Sequence, residues 1–382
     1  MARNVGNRLQ RLQVRRTGQD SVVSRLDAAD SAELLRKRVL SEAYERRATN
    51  RPNTRYALGG MQEVGSDYTR ISLETAERVG SQLQSGLGAA GISAEFQLQG
   101  SVPQNTHIRG VSDVDLLCLD GSFLTYARAG RRSQAGHYTN PTSRTSVEVL
   151  TNLRHEAAKV LRRAYPAATL DASGGKALHI SGGSLARKVD VVPSHWFDTV
   201  DYQATGQQHD RAVKILDSKT AQTAENWPFL HIKLIHDRDE SVAGCLKKAI
   251  RLCKNVKNDA EDEGTKITLS SFDIAAAMYH ANLDLLRLGA VFELAILAET
   301  QRHLDWLCRN QNAAQALRVP DGSRAIFDSA EKLSGLLALS LEFDDLLKEV
   351  AKEQAPWLVF RQDLTLEQAR QAVIQVVVPA AA

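Results

Sequence analysis

Two aspartates two positions apart, Asp113 and Asp115, follow the pair Gly100-Ser101 after eleven intervening residues, and a third, Asp190, lies 75 positions beyond Asp115 in the apolar run Val189-Asp-Val-Val. On a strand, residues i and i+2 share a face, so Asp113 and Asp115 would repel each other unless a cation neutralised them. Magnesium suits such a pair, because it takes carboxylate and phosphate oxygens; two ions about 3.5 to 4 Å apart stabilise both the attacking and the leaving oxygen of an in-line displacement. Manganese is the natural substitute. Asp190, on a neighbouring strand, would bind the metal nearer the attacking hydroxyl and help to deprotonate it. Gly100 lets the backbone approach a phosphate closely, and Ser101 adds a hydroxyl beside the backbone amides. Together these residues spell nucleotidyl transfer with pyrophosphate as leaving group. The plainer alternative is three surface aspartates flanking strands and a Gly-Ser turn.

The elements that must hold these residues follow from periodicity. Ile71 to Leu87 reads as a helix ended by Gly86, Gly88 and Gly91, Glu95-Phe-Gln-Leu-Gln alternates as a strand, and Val111 to Leu119 is a strand with its carboxylates turned to a cleft. Residues 120 to 145 read as an irregular insert, Ser146 to Ala164 as a helix, and Ala177-Leu-His-Ile and Lys188-Val-Asp-Val-Val-Pro as strands. From about Asp210 the pattern is almost wholly helical, with helices expected over Val242 to Val256, Phe272 to Leu288, Val291 to Cys308 and Ile326 to Val350. The arginine-rich start also reads as helix, with Leu34, Leu35, Val39 and Tyr44 on one face. The expected architecture is α+β and bilobal, with the active site in the cleft. An N-terminal helical segment, 1–65, packs on the core; a mixed β-sheet catalytic lobe, 66–207, precedes a helical lobe, 208–375, and a mobile tail, 376–382.

Composition narrows the partners. With 43% hydrophobic residues in 382 the chain can bury a sizeable core. No apolar run approaches the roughly 20 residues a membrane span needs, and the charged start has no apolar segment after it, so a cytoplasmic protein is expected. A net charge of +3 is far from the strong positive bias of a protein that grips long nucleic acid. Arg8, Arg11, Arg15, Arg16, Arg36, Arg38, Arg46 and Arg47 could form a nucleic-acid patch, but helix solvation explains them equally well. Cys118, Cys245, Cys253 and Cys308 lack zinc-ligand spacing and read as ordinary buried thiols, and His231 and His236 lack a third ligand. His195-Trp-Phe could border a base pocket, but such bulky side chains are expected rather to bury themselves against the helical lobe.

The stretch Gly100-Ser-Val-Pro-Gln-Asn-Thr-His-Ile-Arg-Gly-Val-Ser-Asp-Val-Asp and, later, Arg187-Lys-Val-Asp-Val-Val-Pro resemble the nucleotide-binding turn and the two carboxylate strands of the CD-NTases. These are bacterial relatives of cyclic GMP-AMP synthase within the DNA-polymerase-β-like nucleotidyltransferase superfamily. Cys245-Leu-Lys-Lys-Ala-Ile-Arg-Leu-Cys-Lys is similar to the family's lysine-bearing helix, and Leu269-Ser-Ser-Phe-Asp-Ile to its Ser-Ser-Tyr element, so the likeness spans about Ser66 to Leu297. By that resemblance Lys254 contacts the donor triphosphate, Ser271 adds a phosphate hydrogen bond and Phe272 stacks on a nucleobase, keeping the π-face of the usual tyrosine without its hydroxyl. The plainer alternatives are a solvated lysine face, a core phenylalanine, and Ser270-Ser271 as a helix N-cap.

The resemblance implies synthesis of a cyclic di- or trinucleotide second messenger from nucleoside triphosphates, ATP or GTP foremost, in antiphage (CBASS) signalling. It also implies a possible regulatory protein that recognises the C-terminal tail. Competing readings are transfer of a single nucleotide to RNA, a protein or a small molecule, and a catalytically inactive nucleotide-binding protein.

Overall fold

Alternating side chains build the sheet on which the aspartates ride. The computed structural model describes residues 5–17 and 43–379. It divides into two compact units: a sheet unit of 65–105 and 112–234, and a helical unit of 1–64, 106–111 and 235–382. The expected helix face of Leu34, Leu35 and Val39, together with Arg36 and Arg38, lies outside the described residues.

In the sheet unit, Ala94–Gln99 (β1), Val114–Tyr126 (β2), Ala168–Asp171 (β3), Leu178–Gly182 (β4) and Val189–Asp198 (β5) pair in the order β1-β2-β5-β4-β3; Ala212–Asp217 (β6) joins β5, and Gln222–Asn226 (β7) joins β6. Only β2 and β5 run parallel among these pairs. Leu116, Cys118, Val189, Val191 and Ile180 point to one face, which is covered by the helices Ser66–Ala89 and Ser146–Ala164. The second helix begins at a capping box, in which the Thr145 hydroxyl and the Glu148 carboxylate satisfy each other's backbone amides. On the other face, Leu117, Leu119, Val192, Trp196, Val213 and Ile215 form a smaller apolar cluster.

Three expectations need correction here. The sheet unit extends to 234 and not to 207, because β6 and β7 fall in the stretch read as helix and pair back onto β5. Residues 120–145 are less irregular than expected: β2 continues to Tyr126 across a register shift, Tyr126 stacks on Tyr138 with ring centroids 3.9 Å apart, and the Tyr138 hydroxyl donates to Asp198 at 2.8 Å. His195 is buried by partners of its own sheet unit, bonded to the Ser146 hydroxyl at 2.9 Å and edge-on to Phe123.

The helical unit is built around Cys245–Asp262, whose buried face carries Leu246, Ala249, Ile250, Cys253 and Val256. Val5–Thr17, Pro52–Met61, Ser271–Tyr279, Leu294–Arg309, Ala330–Gln354 and Leu366–Val373 contribute to the same core. Gly59 admits close packing, since a Cβ there would lie 2.7 Å from the Tyr44 ring. The helix expected over Phe272 to Leu288 is broken: Asn282 starts a new turn by accepting the Leu285 amide, while its own amide donates to Glu299.

The described N-terminal arginines are held inside this unit. Arg8 is buried between Glu263 and Glu342, Arg15 donates to Asp259 at 2.6 Å, and Arg16 donates to the carbonyls of Gln62 and Glu63. The Tyr56 hydroxyl completes the set at 2.6 Å from Asp259. The tail is tied down as far as Pro379, against the expectation of mobility from 376 on. Val376 and Val378 pack on the core, and Arg47 donates to the Val378 and Pro379 carbonyls, each at 2.9 Å. Among the described residues no helix is long and apolar enough to cross a membrane.

Candidate active site

One register line crosses the sheet: Gln99 on β1, Asp115 on β2, Asp190 on β5, His179 on β4 and Asp171 on β3 are successive cross-strand partners. Directly paired residues point to the same side of a sheet, so this row lies on the face opposite the two covering helices. The same face becomes apolar two positions further along β2 and β5, at Leu117 and Val192. The carboxylates thus occupy the end of a face whose remainder is core, which is why the strands tolerate them.

The turn before β2 is shaped by Gly100, whose φ of +76° is a conformation that favours glycine. A Cβ there would overlap Asp115 Oδ2. Backbone and carboxylate are in direct contact, and Ser101 follows in the same turn, half-buried.

Asp113 titrates above the ordinary carboxylate range, first because it is partly buried and second because Asp190 is negative nearby; Lys188 and His179 oppose the shift. Burial and a like charge both disfavour the ionised form of a carboxylate, and at Asp113 together they outweigh the nearby basic groups. Asp190 Oδ1 lies 2.6 Å from His179 Nδ1, in the cross-strand pair of β4 and β5. His179 was not singled out from the sequence, since its role depends on which residue β5 places beside it.

Among the described residues no group of three His, Cys, Asp or Glu side chains is already gathered at metal-binding geometry. The donor chemistry nonetheless fits a hard divalent cation: Asp115 and Asp190 stand side by side on β2 and β5, Asp113 lies just before β2 and feels a repulsion from Asp190 that a cation would relieve, and a glycine turn adjoins Asp115. No cysteine takes part; Cys118, Cys245 and Cys253 are buried free thiols and Cys308 is partly buried.

Lys254, Ser271 and Phe272 belong to the helical unit, whereas the aspartates and Gly100-Ser101 belong to the sheet unit. Lys254 is not on a solvated face: it is 3% exposed, and its ammonium donates to the Thr106 carbonyl at 2.8 Å. Its neighbours divide, with Arg251 buried, pushed down to about 10 by desolvation and bonded to the Met61 carbonyl, while Lys257 pairs with Glu261 at the surface. Ser270, not Ser271, caps the helix, in a box with Asp273; Ser271 is exposed at the first helical position. Phe272 is half-buried against the core, with the Arg324 guanidinium 5.2 Å from its ring centroid. Burial alone would raise Asp273, but bonds from Ser270 and Arg324 hold it below the usual range.

No protein-family model matches the chain. A cyclic dinucleotide synthase CdnE of Yersinia aleksiciae is 41% identical over 356 residues, covering 91% of this chain and 92% of its own. A c-di-GMP synthase of Lachnospiraceae bacterium (strain RUG226) is 31% identical over 321 residues, 77% of this chain and 86% of that protein. The solved structure of a STING-associated CdnE c-di-GMP synthase from Flavobacteriaceae sp. has the same fold, with a TM-score of 0.69 at 24% identity over 92% of this chain and 99% of its own.

Proposed function

The chain belongs to the CD-NTase family of nucleotidyltransferases, and from that premise we propose that it condenses nucleoside triphosphates into a cyclic dinucleotide, releasing one pyrophosphate at each of two transfers. The observation that carries this reading is the side-by-side placement of Asp115 and Asp190 on parallel strands, with Gly100 against Asp115. The relatives named as cyclic dinucleotide and c-di-GMP synthases favour a two-nucleotide ring over three, and the second name favours GTP among the substrates, beside ATP.

Asp113, Asp115 and Asp190 are the residues that would hold two Mg²⁺ ions, or Mn²⁺; such ions supply charge neutralisation for the triphosphate and lower the pKa of the attacking hydroxyl. The chain's own residues do the rest. The Gly100-Ser101 turn binds the donor phosphates through backbone amides and the Ser101 hydroxyl. Asp190 takes the hydroxyl proton as the ribose oxygen bonds to the α-phosphorus and the bond to the β-phosphate oxygen breaks. In the second transfer the roles of the two nucleotides exchange and the ring closes. On the helical unit, Phe272 offers a half-exposed ring to a base, and Ser271 a hydroxyl at a helix start. Contact between Lys254 and the triphosphate would require its ammonium to leave Thr106.

The test is product analysis after incubation with each triphosphate, singly and in pairs, with Mg²⁺ or Mn²⁺. A phosphatase-resistant cyclic dinucleotide is expected. A labelled RNA or protein acceptor in place of a cyclic product would establish single-nucleotide transfer, and no pyrophosphate release would establish an inactive nucleotide-binding protein. The proposed setting is antiphage signalling in the cytoplasm, with a partner that recognises the C-terminal tail; loss of phage resistance on deletion of the gene, with effector present, would test it.

A further inference from the structure

We propose that His179 is a positioning residue, which fixes the Asp190 carboxylate in the rotamer that binds metal. The inference rests on the nucleotidyl-transfer reading above. His179 Nδ1 lies 2.6 Å from Asp190 Oδ1, and the two residues are direct partners across the β4–β5 pair. An Nδ1–H that donates to Oδ1 leaves Oδ2 for a cation and removes the side-chain freedom of Asp190, as outer-shell partners of ligating side chains do.

The imidazole is itself held in place. A Cβ at Gly174 would stand 3.3 Å from His179 Nε2, so the loop after β3 borders the ring closely. That loop is fixed from below by Arg154, a buried guanidinium that donates to the carbonyls of Ala172, Gly174 and Ala177, and by Ser218, whose amide donates to the Gly175 carbonyl at 2.9 Å. A line of contacts therefore runs from Arg154 through the Gly174 loop to His179 and on to Asp190. His179 is the more exposed of the two partners, at 46% of its side chain against 18% for Asp190, and its hydrogen bond to the carboxylate holds the imidazole in this orientation together with the bordering loop.

The experiment compares His179→Ala, His179→Asn and Asp190→Asn with the wild type, using Mn²⁺ binding followed by electron paramagnetic resonance in the presence of a non-hydrolysable triphosphate, together with kcat, KM and melting temperature. His179→Ala should weaken Mn²⁺ binding by about 10- to 100-fold, in the range seen for loss of outer-shell partners. Its melting temperature should stay at the wild-type value, and its kcat should recover at saturating Mn²⁺ while KM for the triphosphate is little changed. His179→Asn, whose amide can replace the Nδ1–H donor, should restore most of the affinity. Wild-type Mn²⁺ affinity in His179→Ala beside lost affinity in Asp190→Asn would overturn the role of His179 and leave the metal reading intact. Wild-type affinity in Asp190→Asn as well would remove the metal reading itself. Equal weakening in both His179 variants with a lowered melting temperature would make the residue merely structural, which also overturns the inference.

Discussion

Gly100 and the Asp115 carboxylate occupy adjoining space with no room for a Cβ between them. The replacement Gly100→Ala must therefore either move the carboxylate or reshape a turn whose φ is +76°. Displacing a catalytic group by about 1 Å costs roughly 100-fold in rate. We expect that loss in pyrophosphate release, with a melting temperature within a few degrees of wild type; an unimpaired Gly100→Ala enzyme would show that the contact has no part in catalysis.

Asp113→Asn combined with Asp115→Asn should abolish turnover, and Asp190→Asn should do the same. The fold should survive, because Asp113 is raised by burial and by the charge of Asp190 and so opposes folding when ionised. A carboxylate raised in the folded state contributes stability below its unfolded pKa of about 3.9 and loses that contribution as pH rises through the folded value. In metal-free buffer at pH 7, Asp113→Asn should then melt no lower than wild type; a large drop would show that the carboxylate stabilises the fold.

The candidate aspartates and the Gly-Ser pair are legible in the sequence because their signals are local. A strand of period two puts Asp113 and Asp115 on one side, and the Gly-Ser pair precedes Asp113 by eleven intervening residues in the chain. What escaped notice depends on partners distant in the chain. His179 acquires its role only because β4 pairs with β5 in one particular register. The strand Gln222–Asn226 is polar except for Ala224 and exists because it pairs with Ala212–Asp217, itself an apolar run too short to separate from the helical stretch that follows. The arginines near the start read equally as a nucleic-acid patch or as a solvated helix face, and carboxylates more than 240 positions away, at Asp259 and Glu263, claim Arg8, Arg11 and Arg15.

Phe272→Ala should raise the KM for a triphosphate by about 5- to 150-fold, the equivalent of the roughly 1 to 3 kcal/mol that base stacking contributes. Phe272→Tyr keeps the ring and should behave as wild type. Because the ring also packs on the core, a melt must accompany the kinetics; unfolding of Phe272→Ala without a KM effect in the folded fraction would assign the residue to the core.

His303 is 3% exposed, donates from Nε2 to the Ala277 carbonyl at 3.0 Å and is pushed down to about 4, chiefly by desolvation. Its folded pKa lies below its unfolded value of about 6.5, so the neutral ring's contribution is complete above pH 6.5 and is lost as pH falls toward 4, by up to about 3 kcal/mol. Urea unfolding at pH 7 and pH 4.5 should show the wild type losing more stability than His303→Gln over that interval. Parallel losses in the two proteins would assign the acid sensitivity to other groups.

Deleting residues 376–382 removes Val376 and Val378 from the core and frees Arg47 from the Val378 and Pro379 carbonyls, leaving Arg47 its ion pair with Glu293. Half-buried valines contribute less than the roughly 1.5 kcal/mol of a fully buried one. The expected result is a fall of a few degrees in melting temperature with cyclic-nucleotide synthesis intact. Deletion of 380–382 alone should leave both unchanged, and loss of phage resistance in cells with either deletion, against normal synthesis by the purified protein, would support recognition of the tail by a partner.

The single register line from Gln99 to Asp171 has a bearing on which changes in chain length the protein could survive over evolutionary time. Lengthening or trimming the segment between Ala127 and Thr145 leaves every strand pairing where it is, so that region is open to drift. One residue inserted immediately before Val189 would turn the Asp190 carboxylate toward the covering helices and bring Val189 to its place beside Asp115. Gene duplicates that diverge in substrate should therefore differ in their connecting segments while preserving the spacing within β2 and β5.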